Sequence, residues 1–243
     1  MVGTFLNIST IMVGGIIGLL FGSRLPERMR NTITAGLGLF TAVIGIQMFL
    51  KTENALIVLG SLLLGGLLGE WWRLEDGLRE LGTWLEKHFF PKKDSAIPGD
   101  ENNKNIRFIR GFMTASLVFC VGPVTILGSI QDGLTGDYSL LVIKSVLDGF
   151  AAIAFASSMG IGVLFSIVIV LVYQGSLSLL ASQVQSIVTT PMMNEMTAVG
   201  GVLLLGIAIS SLLEIKPIRI GNFLPSLIIA PFFVAVITFF KGL

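Results

Sequence analysis

The spacing of apolar residues constrains the fold of this chain more than any other feature. A helix of about 20 apolar residues crosses a hydrocarbon core of about 30 Å, and the sequence holds eight blocks near that length. Only 13% of its 243 residues are charged, about half the share in soluble domains. We therefore predict an all-α, polytopic membrane helix bundle rather than a soluble enzyme. The blocks lie at about 3–22, 33–50, 54–70, 111–130, 139–157, 160–180, 195–213 and 219–240.

The distribution of Lys and Arg predicts the orientation, because these residues favour the cytoplasmic side. The segments 24–30, 71–110 and 216–219 hold 13 of the 16 Lys and Arg residues. With eight crossings, one orientation places all three segments in the cytoplasm and both termini outside. The apolar run precedes the first basic cluster, which favours a retained first span over a cleaved signal peptide.

Four segments are predicted from this topology. Residues 1–70 form three spans, and 71–90 form an amphipathic helix at the cytoplasmic interface, with apolar residues three and four apart. Residues 91–105 are polar and contain Pro and Gly, which indicates a flexible linker. Residues 106–243 hold the other five spans.

Two short sequence matches suggest an internal repeat. Residues 15–21 resemble 159–165, and 31–38 resemble 194–201 in the same order. Spans 1–3 would then repeat as spans 6–8, and the five crossings between equivalents make the copies inverted, as in many transporters. Chance similarity among Gly, Ala, Leu and Ile is the alternative.

A break in the fourth span is predicted at Gly122 and Pro123. Proline removes a backbone donor and clashes with the preceding turn, and a helix broken at membrane depth must line a wet cavity or be buried in protein. A simple proline kink is the alternative. The polar residues that follow favour a binding site, with Asp132 at its outer mouth. They are Thr125, Ser129, Gln131 and Asp132.

The fifth span carries Lys144 and Asp148, four residues apart on one helical face. A charge at a helix centre costs about 2.5–3.5 kcal/mol, and pairing or a water-filled cavity reduces that cost. We expect Asp148 to supply a fixed negative charge and Lys144 to neutralise it or to bind an anionic substrate. A purely structural ion pair is the alternative.

Ser157 and Ser158, followed by glycines, are candidates for a second broken helix of the site. Close helix approach explains the same small residues equally well. Polar residues in other spans are expected to bond between helices: Asn7, Ser9, Thr10, Gln47 and Gln174.

Glycines four residues apart form two small-residue faces, at 14–22 and 65–69. These are expected to pack against helices within the chain or in a second copy. They favour a homo-oligomer such as a homodimer without fixing its order.

Signatures of several other function classes are missing from the sequence. It has no Walker phosphate loop, G-x-S-x-G elbow or HExxH pair, and no basic stripe for nucleic acid. One Cys and one His exclude Cys- or His-rich metal sites. We expect no enzyme activity and no cofactor, and the sequence leaves a metal ligand undetermined.

Four stretches resemble the domain of unknown function 554 family over nearly the whole chain: GTFLNISTIMVGGIIGLLFG (3–22), FCVGPVTILGSIQDGLTGD (119–137), KSVLDG (144–149) and FASSMGIGVLFS (155–166). The resemblance implies a prokaryotic cytoplasmic (inner) membrane protein and assigns no substrate.

The function predicted from these residues is a transporter or channel for an ion or small polar solute, with its site at the broken helices of spans four and five. The sequence leaves the sign of the substrate's charge open. The alternative is a membrane scaffold or sensing module that acts through partner proteins. A membrane enzyme ranks third, because no nucleophile is identifiable.

Overall fold

A computed structural model of the protein describes residues 1–22, 24–89, 100–185 and 188–241. These residues form helices and connecting loops, with no strand among them. A π-helical segment, Ala208–Leu212, extends α10, and a 3-10 turn, Ile220–Phe223, precedes α11. The helices are α1 Val2–Gly22, α2 Glu27–Phe49, α3 Ala55–Trp72, α4 Leu74–Phe89, α5 Asp100–Cys120, α6 Pro123–Thr135, α7 Ser139–Met159, α8 Gly162–Leu179, α9 Ala181–Gln185, α10 Thr190–Ile207 and α11 Ser226–Lys241.

The number of candidate spans agrees with the sequence. Seven helical segments among the described residues are long and apolar enough to cross a membrane. The bent pair α5–α6 makes an eighth if it counts as one span. The prediction of a membrane bundle of about eight spans is thus confirmed, whereas the inverted repeat stays a prediction.

The helices pack into two compact units that interleave along the chain. The first comprises Met1–Ala35, Gly77–Cys120 and Val124–Ser182, and the second comprises Gly36–Asp76, Val121–Pro123 and Gln183–Leu243. Residues 1–70, predicted as one membrane segment, therefore contribute to both units. The units reflect packing, and the division by membrane topology stays a prediction.

In the first unit, glycines allow α1 to lie directly against α7. A Cβ on Gly14 or Gly18 would collide with the carbonyl oxygen of Gly149 or Ile153, respectively. The contacts advance in step along both helices, so α1 and α7 run parallel. The predicted small-residue face of α1 is therefore covered within the chain.

Helix α4 starts later than its apolar pattern predicts. Trp71 lies in the last turn of α3, and Arg73, with a φ of 54°, separates α3 from α4. Leu81 and Leu85 of α4 pack against Phe108 and Phe112 of α5. The apolar face of α4 is thus partly covered by protein.

The predicted linker also differs from the structure. Helix α5 already begins at Asp100, so residues 100–105 are helical rather than linker. Residues 91–99 of the predicted linker and residue 90 of the predicted interfacial helix lie outside the described residues.

In the second unit, α3 and α11 run antiparallel in close contact. The Cβ position of Gly65 lies 2.5 Å from the backbone nitrogen of Ser226, and that of Gly69 falls on the carbonyl of Asn222. Both glycine faces predicted from the sequence thus pack against helices within the chain, which is one of the two alternatives predicted for them. The homo-oligomer stays a prediction.

A buried carboxylate holds the α2–α3 loop in the same unit. Glu195 of α10 is 1% exposed. It accepts hydrogen bonds from the Thr52 hydroxyl at 2.7 Å and from the backbone N–H groups of Glu53 and Asn54 at 2.7 and 3.0 Å. Asn54 in turn caps α3. The sequence analysis did not single out Glu195.

Candidate functional site

The break predicted in the fourth span is present. Helix α5 ends at Cys120 and α6 begins at Pro123, with an angle of 64° between the two halves. Gly122 between them has a φ of 143°, which only glycine adopts readily. Gly122 and Pro123 therefore act together, one in allowing the turn and the other in starting the new helix.

The ion pair predicted within α7 is also present. The Lys144 ammonium contacts Asp148 Oδ2, and both side chains are buried. Asn7 of α1 donates its amide to the same oxygen at 3.0 Å. Near the end of α5, Phe119 packs against Phe155 of α7 with ring centroids 6.1 Å apart. The start of α1 and the middle of α7 thus meet at Asp148.

Asp132, near the end of α6, binds the start of α1. Its Oδ1 lies 3.2 Å from the amino group of Met1, and Oδ2 accepts the Gly3 N–H at 3.1 Å. This carboxylate is buried and paired, so the structure ties α6 to α1 at the position predicted to be an outer mouth.

Gln131 points elsewhere. Its amide donates to Asp137 Oδ2 at 2.7 Å in the exposed turn before α7. The Ser139 hydroxyl and backbone N–H also donate to Asp137 and lower the pKa of that carboxyl below its usual range. Gln131 therefore belongs to the turn and not to the ion pair.

Thr125 and Ser129 occupy one buried face of α6, four residues apart. Their hydroxyls have no hydrogen-bond partner among the described residues, and they are 1% and 0% exposed. The Ser178 hydroxyl of α8 donates to the Ser129 carbonyl at 2.9 Å, and Gly128 lies over Leu141 of α7. This face of α6 therefore lies against α7 and α8.

Three further side chains complete the arrangement. Thr4 and Asn7 of α1 and Gln174 of α8 are fully buried. The Thr4 hydroxyl, Asn7 Oδ1 and both polar atoms of Gln174 have no partner within the described part of the chain. Asn7 and Gln174 were expected to bond between helices, which holds for Asn7 but, among the described residues, not for Gln174. Thr4 was not predicted. The signal in the sequence was a polar residue within a block of otherwise mostly apolar residues.

Ser157 and Ser158 do not join this arrangement. Both hydroxyls donate to Ala154 O one turn back, at 2.8 and 3.1 Å. At 1.5 Å per residue they lie about 14 Å along α7 from Asp148. Helix α7 runs parallel to α1, whereas α8 runs antiparallel to α1. Gly160, with a φ of 86°, therefore ends α7 in a turn between two spans. The second broken helix at this position is therefore wrong.

We call these buried polar side chains of the first unit the polar cluster. A buried hydroxyl or amide without a partner costs about 1–3 kcal/mol, and proteins rarely leave one unexplained. Four helices of the first unit, α1, α6, α7 and α8, contribute to this cluster. Its members are Thr4, Asn7, Thr125, Ser129, Lys144, Asp148 and Gln174.

The chain is similar to known proteins over nearly its whole length. The family model described as "Protein of unknown function (DUF554)" matches residues 2–235. The chain is 34% identical to "Uncharacterized protein YqgA" of Escherichia coli (strain K12), covering 94% of each chain. It is 32% identical to "Uncharacterized membrane protein YdfK" of Bacillus subtilis (strain 168), covering 98% of this chain and 97% of that protein. No solved structure matches.

Proposed function

Because this chain belongs to the DUF554 family, for which no function is stated, we propose a function from its own residues: it is a membrane transporter or channel for an ion or small polar solute. The membrane class agrees with the printed name of the relative from Bacillus subtilis. The polar cluster is the proposed binding site.

One observation carries this proposal. Thr4, Asn7, Thr125, Ser129 and Gln174 are at most 1% exposed, yet each keeps a polar atom without a partner among the described residues. They accompany a buried ion pair in helices apolar enough to span a membrane. Ionisable groups in such helices mark substrate or ion pathways. A purely structural bundle would gain stability by replacing these side chains with apolar ones.

The broken span supports the same function. At the end of α5, the Val121–Gly122 step interrupts the helix, and α6 resumes at Pro123. Such a break releases backbone groups that a lipid-facing helix would keep paired. In transporters, discontinuous helices of this kind border binding sites.

Binding without catalysis is part of the proposal. Asp148 is already engaged by Lys144 and Asn7, so it is poorly placed to activate the Thr125 or Ser129 hydroxyl. Nucleophilic catalysis needs a base within hydrogen-bond reach of the nucleophile, and neither hydroxyl has one among the described residues.

Reconstitution into liposomes tests the proposal. Flux of Na⁺, K⁺, Cl⁻ and small solutes is measured for wild type, Asp148→Asn and a control, Asp76→Asn. Asp76 is a matched control because its carboxylate sits in an exposed pair with Arg73. Flux of at least one probe, reduced in Asp148→Asn only, is expected.

Thermal stability with the same probes supplies an independent measurement of binding. A ligand at 100 times its dissociation constant adds about 2.7 kcal/mol if it binds only the folded state. The absence of both flux and a thermal shift would overturn the proposed function.

A further inference from the structure

Gln174 restricts the chemistry of the ligand. Its side chain is completely buried, and both Oε1 and Nε2 have no partner among the described residues. Exchanging the two atoms would change nothing, because both are free. Whatever binds beside Gln174 must therefore accept from the amide nitrogen and donate to the amide oxygen.

Asn7 adds a second acceptor, and its contact with Asp148 determines which of its two amide atoms is the nitrogen. Asp148 Oδ2 can only accept from Asn7, so the atom facing it is Nδ2, at 3.0 Å. Asn7 Oδ1 is left as the free atom. This oxygen requires a donor.

The hydroxyls of the cluster can either donate a hydrogen bond to the ligand or accept one from it. Thr4, Thr125 and Ser129 each present an oxygen that donates one hydrogen and accepts others. All three are buried without a partner in the described part of the chain. The free groups together thus include a fixed donor, fixed acceptors and hydroxyls that adapt.

The contacts place these groups around one region. The Ser178 hydroxyl of α8 donates to the Ser129 carbonyl of α6. Gln174 lies one turn before Ser178, and Thr125 lies one turn before Ser129. Helix α1 reaches both helices, because Gly3 N–H donates to Asp132 of α6 and the Cβ position of Gly175 lies 3.2 Å from the Met1 methyl.

The formal charges of the two ionisable side chains in the polar cluster are already balanced, because Lys144 pairs with Asp148. A desolvated ion would enter without an opposite charge to offset the loss of its hydration. A monatomic cation would leave the Gln174 donor unmatched, and a monatomic anion would leave the Asn7 acceptor unmatched.

We propose that the polar cluster binds a small uncharged molecule carrying both hydrogen-bond donors and acceptors, such as an amide, a urea or a polyol. This inference rests on the proposed function and narrows its substrate class. Gln174 binds the ligand through both ends of its amide. The Lys144–Asp148 pair holds Asn7 in the orientation that leaves its Oδ1 available to a donor on the ligand.

The test measures solute entry into proteoliposomes that contain the full chain. Swelling is followed by light scattering after mixing with isosmotic urea, acetamide or glycerol, and ion flux is followed in parallel with NaCl and KCl under an imposed potential. Gln174→Met keeps the side-chain length and removes both polar ends. Gln47→Met makes the same change at an exposed position of α2.

The expected result is entry of at least one uncharged solute, slowed about tenfold in Gln174→Met, the effect of losing one or two hydrogen bonds, and unchanged in Gln47→Met. If Gln174→Met does not elute as folded protein, Thr125→Val removes a cluster hydroxyl at nearly constant shape and should slow entry as well. Entry that is unaffected in every folded cluster variant would overturn the inference.

Two other outcomes separate this inference from the proposed function. Ion flux that follows the potential and is lost in Gln174→Met, without solute entry, would overturn the uncharged ligand and leave a transport function. The absence of solute entry, of ion flux and of any thermal shift would overturn the inference together with the proposed function.

Discussion

Asn7 donates its side-chain amide to Asp148 Oδ2 at 3.0 Å, on the same oxygen that receives the Lys144 ammonium. Two donors from α1 and α7 therefore share one carboxylate oxygen in a buried position. Removal of either charged side chain alone leaves the other charge buried without its partner, which is strongly destabilising.

The ion pair should show strong coupling between its two members. We expect Lys144→Met to lower the free energy of unfolding by about 3–5 kcal/mol, since it leaves the Asp148 charge buried without a cation. The double variant Lys144→Met/Asp148→Asn should be less destabilised than Lys144→Met, because it removes that charge. The coupling energy follows from thermal unfolding in detergent of wild type, Lys144→Met, Asp148→Asn and the double variant. Additive effects would show that the pair does not interact.

The parallel contact of α1 and α7 should tolerate no side chain at Gly18. A Cβ there meets the Ile153 carbonyl and lies 3.0 Å from Ala156 Cβ, so Gly18→Val must push the helices apart. Overpacking of this kind costs about 1–3 kcal/mol or more. Gly36→Ala is the control, because a Cβ at Gly36 meets nothing within 4 Å. Equal losses of thermal stability in the two variants would contradict the close packing.

The sequence predicted the spans well because each depends on local composition. Blocks of apolar residues near the thickness of a bilayer identify a membrane helix whatever its neighbours are. The break at Gly122 and Pro123 was predictable for the same reason, since proline ends a helix through its own covalent geometry. The pair of Lys144 and Asp148 followed from helical spacing alone.

The rest of the cluster depends on which helices meet, and local patterns do not encode that. Gln174 and Thr4 lie 170 residues apart in the chain, and no periodicity relates them. The second broken helix predicted at Ser157 and Ser158 was wrong for a similar reason. Ser and Gly near a helix end fit a broken span and a tight turn between spans equally, and only the direction of α8 distinguishes them.

Asn222 should be a strong determinant of stability at the junction of α3, α4 and α11. Its side chain donates to Glu70 Oε2 at 2.5 Å and accepts the Glu75 N–H at 2.8 Å. Glu75 also accepts the Gly221 N–H at 2.8 Å. Asn222→Leu removes both side-chain bonds and leaves the Glu75 N–H buried without that acceptor, so we expect a loss of about 1–3 kcal/mol.

Thermal unfolding of Asn222→Leu against a control, Asn31→Leu, measures this contribution. Asn31 is exposed on α2, so its replacement should change the midpoint little. A similar midpoint for both variants would show that the junction contributes no net stability.

The predicted orientation can be read from single cysteines, because Cys120 is the only cysteine in the sequence. In a Cys120→Ala background, Asp137→Cys lies in an exposed turn and His88→Cys on an exposed face of α4. With both termini outside, an impermeant maleimide should label Asp137→Cys in intact cells and His88→Cys only after lysis. The reverse pattern would invert the topology.

The connection between α4 and α5, which is predicted to be cytoplasmic, allows a test that distinguishes transport from the scaffold alternative. Helix α4 is held by Leu81 and Leu85 against α5, so replacing residues 91–99 with a Gly/Ser segment of equal length should leave the packing of the first unit intact. If the polar cluster carries the function, this variant should transport like wild type in proteoliposomes and should complement a deletion strain, whereas Asp148→Asn should fail in both assays. A scaffold that works through partners at this connection predicts the opposite in cells: the replaced segment fails to complement, and Asp148→Asn succeeds.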